Sequence, residues 1–213
     1  MSRFYLVRHG ETVWNKQSRY QGQSNVPLSD TGRMQAKILS RRLENEAIDL
    51  IYASDLDRAI ETANIIAEPH DLEVICSKSM RELGFGIWEG LTYDEIINKW
   101  PESMKKWQND PLNVKPPNGE TLAELMERTS DFLMAVAKNH PDKTILIATH
   151  AGPIRAILSV LLDLKWEFFW KFKISNTSLT IIDYDGSAHL QESDAFIVTI
   201  NDTYHLQIEN SRA

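Results

Sequence analysis

The stretch "RFYLVRHG", residues 3–10, sets the pattern from which the rest of the chain is interpreted. Its four consecutive apolar residues, Phe4–Val7, indicate a short strand that is buried on both faces. This strand leads directly into Arg8, His9 and Gly10. A cation, a titratable imidazole and a residue without a side chain therefore stand at the end of a buried strand, and their purpose has to be found elsewhere in the sequence.

A second stretch, "IATHAG" at residues 147–152, resembles the first. It ends the apolar run Thr144–Thr149 and places a histidine, His150, directly before small residues. A single histidine at a strand end is more often structural than catalytic. Two such strand ends in one chain indicate that the two histidines share a function.

Strand-like and helix-like segments alternate along the chain. The predicted strands are Arg3–Arg8, Ile48–Ala53, Leu72–Cys76, Thr144–Thr149, Ser178–Tyr184 and Ala195–Ile200, with Asp185-Gly186 as a turn signal between the last two. Apolar periodicity predicts helices over Thr31–Glu44, Leu56–Glu68, Thr121–Asn139 and Gly152–Leu162. This alternation predicts a three-layer α/β/α fold, in which a mostly parallel central sheet carries helices on both faces.

The chain has 213 residues, which is enough for one sizeable core, and we expect a single domain over residues 1–213. Residues 88–120 interrupt the alternation with Trp88, Trp100, Trp107 and several prolines. We interpret this segment as a lid-like insertion over one end of the sheet rather than as a second domain.

Composition excludes several classes of protein. The apolar content of 42% and the charged content of 25% are ordinary for a soluble globular chain. The net charge of −7 argues against nucleic acid or an anionic membrane as the main partner. No apolar stretch is long enough to span a membrane, and the start has no signal-peptide pattern, so we expect a cytoplasmic protein.

The single cysteine, Cys76, excludes an intrachain disulfide, and its apolar surroundings predict an inert core thiol. Three other histidines, His70, His189 and His205, lack the spacing of metal ligands. We expect them on loops or at the surface.

The strand ends predict where the chemistry lies. In open α/β sheets, ligands bind beyond the carboxyl ends of the strands. Arg8 and His9 follow the first strand, His150 follows the fourth, and Arg58 lies in the first turn of the helix after the second. If these strands are parallel, two histidines and two arginines meet at one edge of the sheet.

Such a cluster suits a phosphoryl group. Arg8 and Arg58 can each give paired, charge-assisted hydrogen bonds to phosphoryl oxygens. The helix that begins after His150 offers free backbone N–H groups and the positive end of its dipole. Gly10 and Gly152 allow the backbone to approach a ligand closely.

A neutral imidazole beside a phosphoryl group can act as a nucleophile. The neighbouring arginines disfavour the protonated form of His9 and so lower its pKa. The leaving alkoxide then needs a proton donor. Glu82, beside apolar Leu83 and Phe85, is the best candidate, and Glu89 competes with it because spacing alone does not separate the two.

Five ordered blocks resemble the histidine phosphatase superfamily, in the phosphatase branch of the phosphoglycerate-mutase-like proteins. They are "LVRHGET" (6–12), "ASDLDRAIETA" (53–63), "RELGFGIWEG" (81–90), "PPNGET" (116–121) and "ATHAG" (148–152). The resemblance runs from Arg3 to about Leu206, and it implies the phosphoglycerate mutase-like fold.

The resemblance also implies roles for individual residues. His9 would be the phosphorylated nucleophile, while Arg8, Arg58 and His150 would bind the phosphoryl group. Glu82 matches the acid–base glutamate of the family, so the resemblance favours Glu82 over Glu89 as the proton donor. The implied substrate-binding positions are Asn15, Gln21, Gly22, Leu83, Gly84, Phe85, Ala151 and Gly152. The family's reaction needs no metal and no organic cofactor.

We therefore expect a phosphomonoester hydrolase that acts on small phosphorylated metabolites through a phosphohistidine. The stretches "LTYDEI" (91–96) and "NDTYHL" (201–206) resemble α-ribazole phosphatases, which makes α-ribazole 5′-phosphate a candidate substrate. A homodimer stays open as an assembly.

The sequence disfavours three other classes of protein. A cofactor-dependent phosphoglycerate mutase is disfavoured because residues 88–121 lack the adjacent arginine pair of the glycolytic mutases. A metal-dependent hydrolase has no ligand motif to support it. A non-catalytic module that only binds phosphorylated ligands is disfavoured by the intact pair His9 and Glu82. In a plainer interpretation, Asn15 and Gln21 are loop residues that bond their own backbone.

The tryptophans of residues 88–120 also allow two interpretations. Trp88, Trp100 and Trp107 are most simply packing residues. The sharper hypothesis is a wall on which an aromatic leaving group stacks, such as a benzimidazole riboside.

Overall fold

The computed structural model describes residues 1–185 and 195–210. Gly186 of the predicted turn and His189 lie outside these residues. Within them, none of the helices combines the length and the apolar character that crossing a membrane requires.

Six strands form one sheet in the described part of the chain. They are β1 (Ser2–Arg8), β2 (Leu50–Ser54), β3 (Val74–Ser77), β4 (Thr144–Thr149), β5 (Leu179–Tyr184) and β6 (Ala195–Asp202). Their order in the sheet is β3-β2-β4-β1-β5-β6. The first four in this order pair in parallel, while β5 and β6 are antiparallel. The predicted, mostly parallel sheet is confirmed.

Helices cover both faces of the sheet. They are α1 (Val13–Lys16), α2 (Asp30–Leu43), α3 (Asp57–Ala67), α4 (Tyr93–Lys99), α5 (Pro101–Asn109), α6 (Leu122–Asn139), α7 (Ala151–Leu161) and α8 (Tyr204–Asn210). Phe4 and Leu6 of β1 face a core that includes residues of α6 and α7. Tyr5 and Val7 face the opposite core, with residues of α2 and α3. Because alternate residues of one strand enter different cores, the three-layer prediction is confirmed.

The strand register brings the two histidine strand ends together. Arg8 at the end of β1 lies opposite Thr149 at the end of β4. The backbone N–H of His9 then donates to the carbonyl oxygen of Thr149 at 2.9 Å. The residue after each strand, His9 or His150, therefore leaves the sheet at the same edge.

Residues 88–120 carry α4 and α5, which pack in a third apolar cluster against α6 and α7. Trp88 is fully buried and Trp107 is 5% exposed, and their rings meet edge to face at 5.7 Å. These two tryptophans are core residues. The description of the segment as a lid-like insertion in a single domain stays a prediction.

Two predicted strands begin two residues later than expected. Ile48 and Leu72 precede β2 and β3, yet both pack on the core from their loops. Apolar character extended the predicted strands into loop residues that share the same core. The predicted bounds of β4 and the capped start of α6 at Thr121 are confirmed.

Two expectations about single residues were wrong. Cys76 is exposed, because β3 is an edge strand whose two middle residues are both exposed. His205 is only 4% exposed, because α8 packs against α2 and the imidazole ring of His205 contacts Arg42.

Candidate active site

A small cavity opens at the carboxyl edge of the parallel strands. It measures about 150 Å³, and the described residues that line it are Arg8, His9, Asn15, Arg19, Gln21, Gly22, Arg58, Glu82 and Phe85. Pockets for drug-sized ligands have about 300–1,000 Å³. This cavity is smaller, and its size and cationic lining suit a compact anion such as a phosphoryl group.

His9 is held in a defined tautomer at the end of β1. Its ring is buried, and Nδ1 lies 2.7 Å from the carbonyl oxygen of Gly10. Because a carbonyl oxygen can only accept, Nδ1 carries the proton and Nε2 keeps a free lone pair. Burial, then the cations Arg58 and Arg8, hold the pKa of His9 well below its usual value. The imidazole is therefore neutral near pH 7 and competent as a nucleophile.

Arg58 is fully buried in the first turn of α3. Its Nη2 donates to the carbonyl oxygen of Gly22 at 2.7 Å, and its Nη1 donates to that of Ser24 at 2.8 Å. Burial lowers its pKa to about 10, so it remains charged near pH 7. The guanidinium thus ties the loop before α2 to the edge of the sheet.

His150 is neutral as well, with its proton on the other nitrogen. Its Nδ1 accepts from Nε of Arg58 at 3.3 Å, so its Nε2–H donates to Oγ of Ser54 at 2.9 Å. Burial, then Arg58, lowers its pKa well below the usual value. The His9 and His150 rings lie 5.1 Å apart, edge to face.

Arg8 is a cation with unused donors. Its Nη1 donates to the carbonyl oxygen of Ile174 at 2.7 Å, and its Nε is buried without a hydrogen-bond partner among the described residues. Burial lowers its pKa to about 10. A buried guanidinium N–H with no acceptor, in a cavity lined by two more arginines, favours an anionic ligand.

The geometry places Glu82 in the cavity and Glu89 outside it. Oε1 of Glu82 accepts the backbone N–H of Leu83 at 2.9 Å and that of Gly152 at 3.0 Å. Glu89 instead accepts three hydrogen bonds, from the backbone of Gln23 and Phe85 and from the hydroxyl of Ser24. Glu89 therefore shapes the loops beside the cavity.

The first turn of α7 contacts a carboxylate. The sequence predicted that its free N–H groups would hold a phosphate. The N–H of Gly152 is instead donated to Glu82. This end of α7 therefore orients the carboxylate beside His9.

Three predicted residues between β1 and α2 line the cavity. Asn15 uses its Oδ1 to accept from the backbone of Thr12 at 3.0 Å, as the plainer interpretation of this residue expects. Gln21 has a buried Oε1 without a partner among the described residues. Gly22 has a φ of +52°, and a Cβ there would lie 2.0 Å from Oε1 of Glu89, so this turn requires glycine.

Four residues that the resemblance implied as substrate contacts are not among the described residues that line this cavity: Leu83, Gly84, Ala151 and Gly152. Leu83 and Ala151 are buried in apolar clusters. Gly84 lines a separate cavity that includes Glu120. Of residues 83–85, Phe85 lines the cavity with His9. His150, predicted to bind the phosphoryl group, is not among the described lining residues either.

Two residues of the site were missed in the sequence. Arg19 lines the cavity and donates from Nη1 to the carbonyl oxygen of Gly90 at 2.6 Å. Because Arg19 lies between Asn15 and Gln21 in the sequence, its position could have indicated that it belongs to the site. Asn176 donates from Nδ2 to the carbonyl oxygen of His9 at 3.0 Å, and no local motif marks it.

The described residues contain no group of three or more histidine, cysteine, aspartate or glutamate side chains placed to hold a metal ion. The expectation of a metal-free reaction remains an expectation.

A neutral imidazole, buried guanidinium groups and a carboxylate line one cavity of an α/β fold, which is an arrangement suited to phosphoryl transfer. Residues 4–193 match the model of the Histidine phosphatase superfamily (branch 1), and the chain belongs to this family. The chain is thus a phosphatase, as the resemblance of its motifs implied.

Relatives match over nearly the whole chain. Phosphoserine phosphatase 1 of Hydrogenobacter thermophilus is 37% identical over 206 residues, which cover 97% of this chain and 95% of the relative. A Yersinia pestis protein named "probable phosphoglycerate mutase GpmB" is 34% identical over 208 residues, covering 98% and 96%.

Solved structures have the same fold. Bacillus stearothermophilus YhfR superposes with a TM-score of 0.87 at 30% identity, covering 97% of this chain and 100% of that one. The α-ribazole phosphatase of Shigella flexneri superposes with a TM-score of 0.84 at 28% identity, covering 94% and 96%. The relatives and solved structures that are named as phosphatases support a phosphatase function. They support it better than the mutase-named relatives support a phosphoglycerate mutase.

Proposed function

We propose that this chain hydrolyses small phosphomonoesters and that His9 carries the phosphoryl group between two steps. The observation that supports this most is the hydrogen bond from Nδ1 of His9 to the carbonyl oxygen of Gly10. It leaves the Nε2 lone pair free for attack. Arg8, whose Nε is buried without a partner among the described residues, lines the same cavity and favours a phosphoryl anion there.

In the first step, Nε2 of His9 attacks phosphorus in line with the leaving oxygen. The N–P bond forms while the P–O bond to the leaving group breaks. Arg8 and Arg58, which line the cavity, stabilise the charge of the equatorial oxygens, while His150 contacts Arg58 and Ser54 beside them. Protonated Glu82 gives its proton to the leaving oxygen, so an alcohol departs and Glu82 becomes ionised.

In the second step, ionised Glu82 takes a proton from a water molecule. The water oxygen attacks the phosphohistidine, the N–P bond breaks and inorganic phosphate leaves. His9 returns to its neutral form and Glu82 to its protonated form, so both are ready for another cycle. The contacts of Glu82 with Gly152 and Leu83 support this role, because they fix the carboxylate beside the nucleophile.

The substrate is proposed only as a class. Phosphorylated small molecules fit the cationic cavity, and the solved relatives bind such compounds, including phosphoserine and 3-phosphoglycerate. α-Ribazole 5′-phosphate stays a candidate because a solved relative is an α-ribazole phosphatase. We keep the cytoplasm as the proposed compartment, and the homodimer stays a prediction.

The proposal is tested by trapping the phosphoenzyme. Wild-type protein mixed with p-nitrophenyl phosphate and quenched in alkali should carry an acid-labile phosphate on His9, located by peptide mass spectrometry. His9→Asn should lose both the label and turnover, while His70→Asn, outside the cavity, serves as the matched control. Turnover retained by His9→Asn would refute the assignment.

A coupled assay with 3-phosphoglycerate, with and without a bisphosphoglycerate, tests the mutase alternative. Isomerisation faster than phosphate release would replace hydrolysis as the main function.

A further inference from the structure

A second cavity, about 370 Å³ in volume, is lined by Tyr20 and Trp107, whose rings contact Phe85 of the catalytic cavity. The described residues that line it are Tyr20, Trp107, Gln108, Pro111, Trp166 and Trp170. We propose that it binds the leaving group of the substrate and that this group is a planar aromatic ring with a hydrogen-bond acceptor. The inference rests on the proposed phosphatase reaction and names its substrate class.

Phe85 lies between the two cavities. It lines the catalytic cavity, and its ring meets Tyr20 edge to face at 4.8 Å and Trp107 at 6.0 Å. Tyr20 and Trp107 both line the second cavity, and Tyr20 precedes Gln21, which lines the first. One layer of aromatic side chains therefore separates the two cavities, and in this proposal the leaving group extends past Phe85 into the second one.

The second cavity has the chemistry of an aromatic site. No aspartate or glutamate is among its described lining residues. The rings of Trp107 and Trp170 meet at 5.8 Å with an angle of 65°, so they offer a flat guest both a face and an edge. Its volume lies within the range of about 300–1,000 Å³ that is usual for pockets binding organic ligands.

An unpaired donor indicates that the guest carries an acceptor. Nε1 of Trp107 is buried and has no hydrogen-bond partner among the described residues, although Trp107 lines the cavity. Buried N–H groups are nearly always paired in folded proteins. An acceptor nitrogen or oxygen on a bound ring would pair this one.

Trp170 forms an exposed wall of the cavity, and Arg155 packs against its ring. Trp170 is 44% exposed, and the guanidinium of Arg155 lies 5.6 Å from its ring centre. Nε of Arg155 donates to the carbonyl oxygen of Phe172 at 2.9 Å, which fixes this cation. A large indole held open to solvent at a cavity mouth indicates a contact surface for a ligand.

These contacts change the tryptophan hypothesis. Trp88 is core, and Trp107 belongs to the cavity floor rather than to an exposed wall. The wall comes from Trp166 and Trp170 in the 3₁₀ helix Trp166–Lys171, which lies outside residues 88–120.

The test compares leaving groups within each protein. We expect Trp170→Ala to lower the ratio of kcat/KM for 1-naphthyl phosphate to that for propyl phosphate by about tenfold, because one aromatic contact is lost. The matched control is Phe168→Ala, which removes an aromatic ring from the same 3₁₀ helix and is not among the residues that line the cavity. It should leave the ratio unchanged. An unchanged ratio in Trp170→Ala would overturn the aromatic subsite.

Trp107→Phe tests the acceptor. It keeps a ring in the cavity floor and removes the N–H. We expect the preference for the best of the isomeric quinolinyl phosphates over 1-naphthyl phosphate to fall, and an unchanged preference would remove the acceptor from the proposal. A wild-type protein that hydrolyses none of these esters would overturn the proposed function itself, whereas active proteins with unchanged ratios would overturn only this inference.

Discussion

Gly152 and Glu82 are fitted to each other across 70 residues of sequence. The N–H of Gly152 donates to Oε1 of Glu82 at 3.0 Å, and a Cβ on Gly152 would lie 2.1 Å from the same oxygen. No side chain at position 152 is compatible with this carboxylate position. The glycine at the start of α7 therefore sets where the proposed acid–base group lies.

The first prediction concerns Gly152→Ala. The new methyl group should displace the Glu82 carboxylate, which is the flexible end of its side chain, while α7 itself remains folded. We expect kcat/KM for alkyl phosphates to fall about a hundredfold, since general acid catalysis contributes about 10²–10⁴. The loss with p-nitrophenyl phosphate should be much smaller, because p-nitrophenolate leaves without a proton.

Glu82→Gln is the comparison variant, because it removes the proton and keeps the shape. It should show the same dependence on the leaving group as Gly152→Ala. If Gly152→Ala slowed both ester classes equally, its effect would not act through proton donation, and the positioning role would be wrong.

The sequence predicted the framework of the site from local patterns. Arg8, His9, His150 and Arg58 follow strands or begin a helix, and parallel strands place such residues at one edge. The register of Arg8 opposite Thr149 agrees with this expectation. Short apolar runs predict these strands, because a strand of a parallel sheet is buried on both faces and therefore consists almost entirely of apolar residues.

The remaining features depend on contacts between distant segments. Glu82 and Glu89 lie seven residues apart, and only their contacts distinguish them. Glu82 accepts from Gly152, whereas Glu89 accepts from Gln23, Ser24 and Phe85. Asn176 comes from the loop before β5 and meets the backbone of His9 across 167 residues. The exposure of Cys76 depends on β3 being at the edge of the sheet. No local pattern contains these facts.

The second prediction concerns Asn176, which we propose as a positioning residue. Its Nδ2 donates to the carbonyl oxygen of His9 at 3.0 Å and to Oδ1 of Asn15 at 3.4 Å. Asn176→Asp keeps the shape but removes both donors. We expect kcat to fall about tenfold, with a loss of about 1 kcal/mol in the free energy of unfolding per hydrogen bond.

Asn113→Asp, in an exposed pair with Asp110, is the matched control and should leave kcat unchanged. Urea unfolding and steady-state kinetics separate the two effects of Asn176→Asp. A loss of stability with an unchanged kcat would reduce Asn176 to a structural residue.

The third prediction concerns the protonation of His9. Its pKa is held well below the usual value by burial, Arg58 and Arg8. Wild-type kcat/KM should therefore persist at pH values below the usual histidine pKa of about 6.5. Arg58→Gln removes one cation, so the pKa of His9 should rise and the acid limb of the profile should move to higher pH. ¹⁵N NMR of the imidazole measures the shift directly.

Arg33→Gln is the control, because Arg33 forms an ion pair with Glu61 at the surface and does not line the cavity. It should leave the His9 titration unchanged. An unchanged titration in Arg58→Gln would show that burial and Arg8 keep the imidazole neutral without Arg58.

The fourth prediction links His205 to stability in acid. Burial, then Arg42, lowers the pKa of His205 from 6.5 to about 4. Below about pH 6.5 the unfolded chain binds a proton that the folded chain does not accept until about pH 4. Stability is therefore complete above this range and is lost as the pH falls through it. At pH 5 the loss from this group should be on the order of 2 kcal/mol.

His205→Gln removes this titration, whatever it does to the absolute stability. Urea unfolding at pH 7.5 and at pH 5 should give a smaller difference between the two free energies in the variant than in the wild type. Because His205 contacts Arg42, which pairs with Asp202, the helix α8 should detach first in acid. If the free energy of unfolding changed equally between the two pH values in both proteins, the acid sensitivity would belong to other groups. His9 and His150 are candidates, because both are buried and neutral for the same reason.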